Sequence, residues 1–179
     1  MLQHVMLDLE TLATTADAVI MSIGAVRFDP FSDKIDDEGF YASVSIDSNL
    51  DRNRRVDENT LLWWLKQPAA AQKVFHEEKD TLESALENFT TWFGKRADKI
   101  EVYSKGADFD IPMLAHAYKQ MGWETPWAFW NARCFRTLSK LPFVKPVKIE
   151  HGVKHNALDD AIAQAREMQA IYAQLRALV

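Results

Sequence analysis

Apolar residues recur along this 179-residue chain with two different periods. Residues 4–9 form a short apolar run of the kind a buried strand carries, and residues 19–28 form a second one rich in Val and Ile. Asp29-Pro30-Phe31-Ser32-Asp33 supplies turn chemistry. Phe40, Ala42, Val44 and Ile46 then alternate with Tyr41, Ser43 and Ser45, the period of two that marks a half-buried strand. Three strands with short connections predict an antiparallel meander.

The rhythm then becomes helical. Asp57 is placed to cap a helix over residues 58–66, and Pro68 to open a short one after it. Leu82, Ala85, Leu86, Phe89, Trp92 and Phe93 fall on one helical face. A strand is expected over 100–104, a helix over 110–121 closed by Gly122, and a last strand within 127–137. Residues 142–154, with two prolines, a glycine and three lysines, read as a loop. Asn156 is placed to cap a final helix, with Asp159 in the capping-box position. The stripe of this helix is Ala161, Ala165, Met168, Tyr172, Leu175 and Val179. A meander followed by strand–helix alternation predicts an α/β fold, a mixed sheet with helices on both faces.

Length and composition fit one domain over residues 1–179, with 47% hydrophobic and 26% charged residues. The single cysteine, Cys134, excludes an intrachain disulfide and fits a reducing cytoplasm. No basic segment followed by a long apolar run opens the chain, so neither a signal peptide nor a membrane partner is expected. A net charge of −5 argues against binding long duplexes. An enzyme that grips a few terminal nucleotides needs less positive charge, and bound cations would neutralise acids of its own site.

Those acids stand in a suggestive order: Asp8 and Glu10, then Asp110, then Asp160, with His155 five residues before the last. Asp8 and Glu10, two apart on a strand, point to one side. Asp110 opens a helix, and Asp160 falls in the first turn of another. An unpaired charge inside the apolar run around Asp8 would be costly. Carboxylate oxygens suit Mg²⁺ or Mn²⁺, and two such ions can clamp the attacking and leaving oxygens of a phosphodiester. A histidine beside them can take a proton from water. Asp108 and Asp159 read as a loop acid and a cap. His151 and His155 are four apart, but Gly152 and the lack of other soft ligands speak against zinc.

These residues resemble the DnaQ-like, or DEDDh, 3′–5′ exonucleases. The likeness is carried by Asp8-x-Glu10-Thr11, Ile20-x-x-Ile23-Gly24-Ala25-Val26, Phe109-Asp110-x-x-x-Leu114 and His155-x-Ala157-Leu158-x-Asp160-Ala161, across nearly the whole chain. Further segments, from Thr60 to Gln67, Gly106 to Leu114 and Phe129 to Thr137, are similar to the phage exodeoxyribonuclease A branch and its exoribonuclease relatives. The resemblance implies an RNase H-like fold with a mixed five-stranded sheet: a three-strand antiparallel meander plus parallel strands, with helices on both faces. It implies release of nucleoside 5′-monophosphates from a 3′ end with two divalent cations. Asp8 would bridge the cations, Glu10 and Asp160 would complete one site, Asp110 would hold the second, and His155 would be the general base. Thr11 and Leu12 would lie against the terminal nucleotide. Ala13 departs from the glycine the family often has, Gly106 replaces an expected polar residue, and Cys134 stands where the phage branch can have aspartate.

Neighbouring helical residues point about 100° apart, so one of Trp63 and Trp64 is free to be buried while the other faces substrate. Trp64 is read as the substrate-facing one, and the resemblance casts Arg136, with Arg133, as touching phosphate or bracing a carboxylate. Arg52, Arg54 and Arg55 read as a solvated basic loop. Lys145, Lys148 and Lys154 suggest a lid that folds on phosphates. The expected partner is a nucleic-acid 3′ end, DNA ahead of RNA, in the cytoplasm of a bacterium or of a phage's bacterial host; a homodimer is compatible with this. A non-catalytic binding module on the same fold, and phosphate transfer from a nucleotide, are the alternatives. All five catalytic positions being filled favours hydrolysis, and no Walker loop supports transfer.

Overall fold

The protein is described from a computed structural model covering residues 2–94, 98–106, 108–150 and 152–177. His151 and Val179 lie outside the described residues.

Strands β1 (His4–Thr11), β2 (Ile20–Phe28) and β3 (Phe40–Ser43) form the antiparallel meander. Helices α1 (Ile46–Leu50), α2 (Glu58–Trp64), α3 (Ala69–Gln72) and α4 (Leu82–Phe93) follow. Then come β4 (Glu101–Ser104), α5 (Asp110–Gln120), β5 (Ala132–Cys134), α6 (Phe135–Ser139) and α7 (Ala157–Arg176). The five-stranded sheet has the order β3-β2-β1-β4-β5, with β4 parallel to β1 and β5 parallel to β4. This is the mixed sheet the sequence predicts.

The side chains of β1 sort by parity. Val5, Leu7 and Leu9 enter a core built with Leu86 and Phe89 of α4 and Leu114 and Tyr118 of α5. Met6 enters the opposite core, with Phe135 and with Ala165 and Met168 of α7. Asp8 and Glu10 continue the Met6 row and so come out on the α7 side. Among the described residues no helix is long and apolar enough to cross a membrane.

Three local expectations are corrected. Strand β3 ends at Ser43, and Ile46 opens α1, because Ser45 turns the chain by accepting a hydrogen bond from Ser48 N at 3.3 Å. Helix α2 stops at Trp64, two residues early. The last strand, by contrast, falls within 127–137 as expected, at Ala132–Cys134, and helix α6 begins at once. Asn156 caps α7 through Leu158 N and Asp159 N, but Asp159 closes no capping box. Its carboxylate reaches further back, to Val153 N at 2.7 Å, and Gly152 leaves room for it.

Candidate active site

Three close approaches assemble the site. At the first, Gly24 of β2 lies opposite Asp8 of β1, and the start of α7 rests on it. A Cβ at Gly24 would stand 2.1 Å from the Ala157 carbonyl carbon and 2.2 Å from Leu158 N. Only glycine lets the first turn of α7, which carries Asp160, come this close to the sheet. At the second, β4 pairs with β1 only as far as Met6. The Leu9 N–H beyond it needs another acceptor, and Asp110 Oδ1 supplies one at 3.1 Å, pinning the start of α5 beside β1. At the third, a bulge between Glu10 and Thr11 turns the end of β1, where the Thr11 carbonyl accepts from Trp64 Nε1 at 2.9 Å.

Asp8, Glu10, Asp110, Asp160 and His155 are thereby brought together. Ligand atoms of Glu10, His155 and Asp160 lie within 4.8 Å of one another. The His155 backbone takes a positive φ of 63°, and its N–H donates to Asp160 Oδ2 at 2.9 Å. Its ring stands edge-on to Trp63, with centroids 4.9 Å apart, and near Trp64 at 6.0 Å. Burial and the charges of Asp110, Glu10 and Asp160 push the Asp8 carboxyl well above its ordinary value. Burial, Asp160 and Asp110 raise Glu10 to about 8. Burial raises Asp110 to about 7, against the pull of its backbone hydrogen bonds and of Arg136.

Crowding four carboxylates together is unfavourable unless cations share the space. The four carboxylates offer hard oxygen donors that fit a divalent metal, with the His155 imidazole beside them. Asp110 and Asp160 each sit in the first turn of a helix, which favours negative charge.

A cleft of about 600 Å³ opens beside these acids, within the range of small-molecule sites. Glu10, Thr11, Thr14, Asn59, Trp63 and Phe109 are among its lining residues. Thr11 is where it was expected. Leu12 is not: it is 2% exposed and packs into a separate core with Val19, Met21 and Trp64, because the bulge turns it inward. Trp64 is corrected too. It lines the cleft but is only 1% exposed, whereas Trp63, which lines the same cleft, is 42% exposed and is the more accessible ring. Arg136 lies outside the cleft. It donates to the Lys105 carbonyl at 2.7 Å and packs beside Gly106, close enough to act on Asp110.

The basic loop reading of residues 52–55 fails at Arg54. That side chain is buried, donating to the Ala18 carbonyl and to Gln120 Oε1. Two points of the lysine-bearing loop are clasped to α7: Lys145 N–H and carbonyl are both bound by the Gln174 amide, and Val153 N–H by Asp159. Sequence reading missed Phe109 and Asn59 as lining residues. It also missed Gln164, whose Nε2 donates to Asp8 Oδ1 at 2.7 Å. Its spacing of four from Asp160 on one helix was the available signal.

No curated protein matches the sequence. Among solved structures, the chain is similar to cell-death related nuclease 4 (CRN-4), with a TM-score of 0.53 and 18% identity over 95% of this chain. The match spans 63% of that nuclease's chain. It supports the RNase H-like fold. The family model described as the 3′–5′ exoribonuclease Rv2179c-like domain matches residues 3–172. The chain therefore belongs to the Rv2179c-like 3′–5′ exoribonuclease domain family, within the DEDDh exonucleases.

Proposed function

We propose that this enzyme removes nucleoside 5′-monophosphates one at a time from the 3′ end of single-stranded RNA. The observation that carries the reading is the convergence of Asp8, Glu10, Asp110, Asp160 and His155 beside an aromatic-sided cleft that Glu10 lines, in a member of this family. The family's description weighs toward RNA over the DNA preference expected from the phage-branch likeness. DNA is the second reading.

Asp8, Glu10, Asp110 and Asp160 would hold two divalent cations, Mg²⁺ or Mn²⁺. When bound, such ions supply charge stabilisation to the phosphoryl group and ease loss of a proton from water. The chain's own residues do the rest. Trp63 offers its ring to the terminal base, since aromatic faces accept any base. Thr11 and Asn59 border the same cleft and meet the sugar. His155 takes the proton from the attacking water at a ring nitrogen. The water oxygen bonds to phosphorus, the P–O bond to the preceding 3′ oxygen breaks, and that oxygen takes up a proton from solvent while His155 later returns its own to solvent. His155 is tethered at its backbone by Asp160 and braced by Trp63, so its ring is held where the acids converge.

The test uses 5′-labelled single strands of RNA and DNA of one sequence, with free or blocked 3′ ends, in Mg²⁺, Mn²⁺ or excess chelator. We expect a ladder descending from the 3′ end, faster loss of RNA, protection by the 3′ block and no cleavage in chelator. Internal cuts in a circular strand would refute the polarity. Undiminished cleavage in chelator would refute the cation site, and faster loss of DNA would favour the second reading.

A further inference from the structure

Asp8 needs help that the expected catalytic set does not provide. The last torsion of an aspartate is broad and soft, so a carboxylate on a strand does not hold its own plane. A cation site needs that plane fixed. Gln164 stands four residues beyond Asp160 on α7 and is 7% exposed. Its Nε2–H donates to Asp8 Oδ1 at 2.7 Å, joining α7 to the middle of β1 across 156 residues of sequence. The amide orientation follows from the chemistry, because an Oε1 in that place would set acceptor against acceptor with an ionised Asp8.

The other end of the same amide matters as much. Gln164 Oε1 is buried and has no hydrogen-bond partner among the described residues. An orphaned buried acceptor is costly, and the cost disappears when a donor arrives. A glutamine kept only for packing could be replaced by an apolar side chain of similar shape with no such cost. The waters around a hydrated cation are O–H donors, and Asp8 is where the cation is expected.

Resting on the reading of Asp8 as a cation ligand, we propose that Gln164 is a positioning residue of that site. Its Nε2–H fixes the Asp8 carboxylate, and its Oε1 accepts a hydrogen bond from water of the cation's hydration shell. Gln164 touches neither substrate nor the reacting atoms. It acts through Asp8.

The experiment titrates Mn²⁺ into the full chain and follows the free-ion paramagnetic resonance signal, so no turnover is needed. Four proteins are compared: wild type, Gln164→Met, Asp8→Ala and the double variant. Partners of metal ligands typically matter by 10–100-fold in affinity, and we expect a loss in that range for Gln164→Met. In the Asp8→Ala background the same change should alter affinity little, because its target is gone. Wild-type affinity in a folded Gln164→Met protein overturns the proposal, as does an equal loss in both backgrounds. Undiminished affinity in Asp8→Ala overturns the ligand reading beneath it. A silent Gln164→Met beside a crippled Asp8→Ala overturns the Gln164 proposal alone. Should Gln164→Met fail to fold, the ¹⁵N–¹H signals of the Gln164 side-chain amide in wild type decide. They should shift on adding Mg²⁺ and in Asp8→Ala, and signals that stay in place overturn the proposal.

Discussion

His155 is held by its neighbours on every side that counts, which makes its role separable by experiment. Its backbone is fixed by Asp160 and its ring by Trp63, so removing the imidazole should leave the surrounding acids in place. His155→Ala should lower turnover by about 10²–10⁴, the range for loss of a general base. Mn²⁺ affinity should hardly move; its collapse would make the histidine a ligand. The two tryptophans should part company in the same assays. Trp64→Phe leaves the buried Thr11 carbonyl without its donor and should lower stability by about 1–3 kcal/mol in a denaturant titration. Trp63→Ala should leave stability nearly unchanged and raise KM, as befits an exposed ring at the cleft. Equal stability losses would mean that Trp63 too is structural. Which tryptophan turned inward was not legible beforehand, since a 100° step separates the pair without saying where the core lies. Leu12 was hidden for a similar reason: strand parity predicts its direction only until the bulge at Glu10 and Thr11 breaks the count. The acids were readable because a charged pair inside an apolar run is too costly to keep unless a cation compensates it.

At the scale of elements, the site depends on how closely α7 lies on the sheet. Gly24→Ala adds one methyl where backbone atoms of Ala157 and Leu158 already stand. Backbone cannot swing aside as a side chain can, so α7 must lift from β2. We expect about 1–3 kcal/mol of lost stability, the usual cost of overpacking. The loss of activity should be larger than this implies, because Asp160, His155 and Gln164 all ride on that helix start. Unchanged activity in Gly24→Ala would show that the approach is not needed. Elements long enough to show a clear period were legible from sequence, α4 and α7 above all. The third strand ran on too far because alternation continues through Ile46, and a single Ser45 cap overrode it. The clasp of Asp159 on Val153 was not legible, as it depends on the loop folding back over Gly152.

Taken whole, the molecule stores like charges that it would shed without cations. Glu10, raised to about 8, and Asp110, raised to about 7, sit above the value near 4 expected of unfolded carboxylates. A group raised in the folded state contributes stability below its unfolded pKa and loses it as pH climbs through the folded one. The metal-free protein should therefore lose thermal stability between about pH 4 and pH 8 relative to an Asp110→Asn variant, which should show a flatter slope. Mg²⁺ or Mn²⁺ should restore stability, and by more as pH rises, since the ligands bind in their deprotonated form. Scanning fluorimetry across pH, with and without the ion, checks this; a metal effect independent of pH would count against the buried acid cluster. The same long-range assembly has a consequence in time. Strands β1 to β5 are synthesised well before residues 155–164, yet the gathered site needs His155, Asp160 and Gln164 from the far end of the chain. Until those last residues are made, no nascent chain holds the complete site, and one face of the sheet also waits for α7 to cover it.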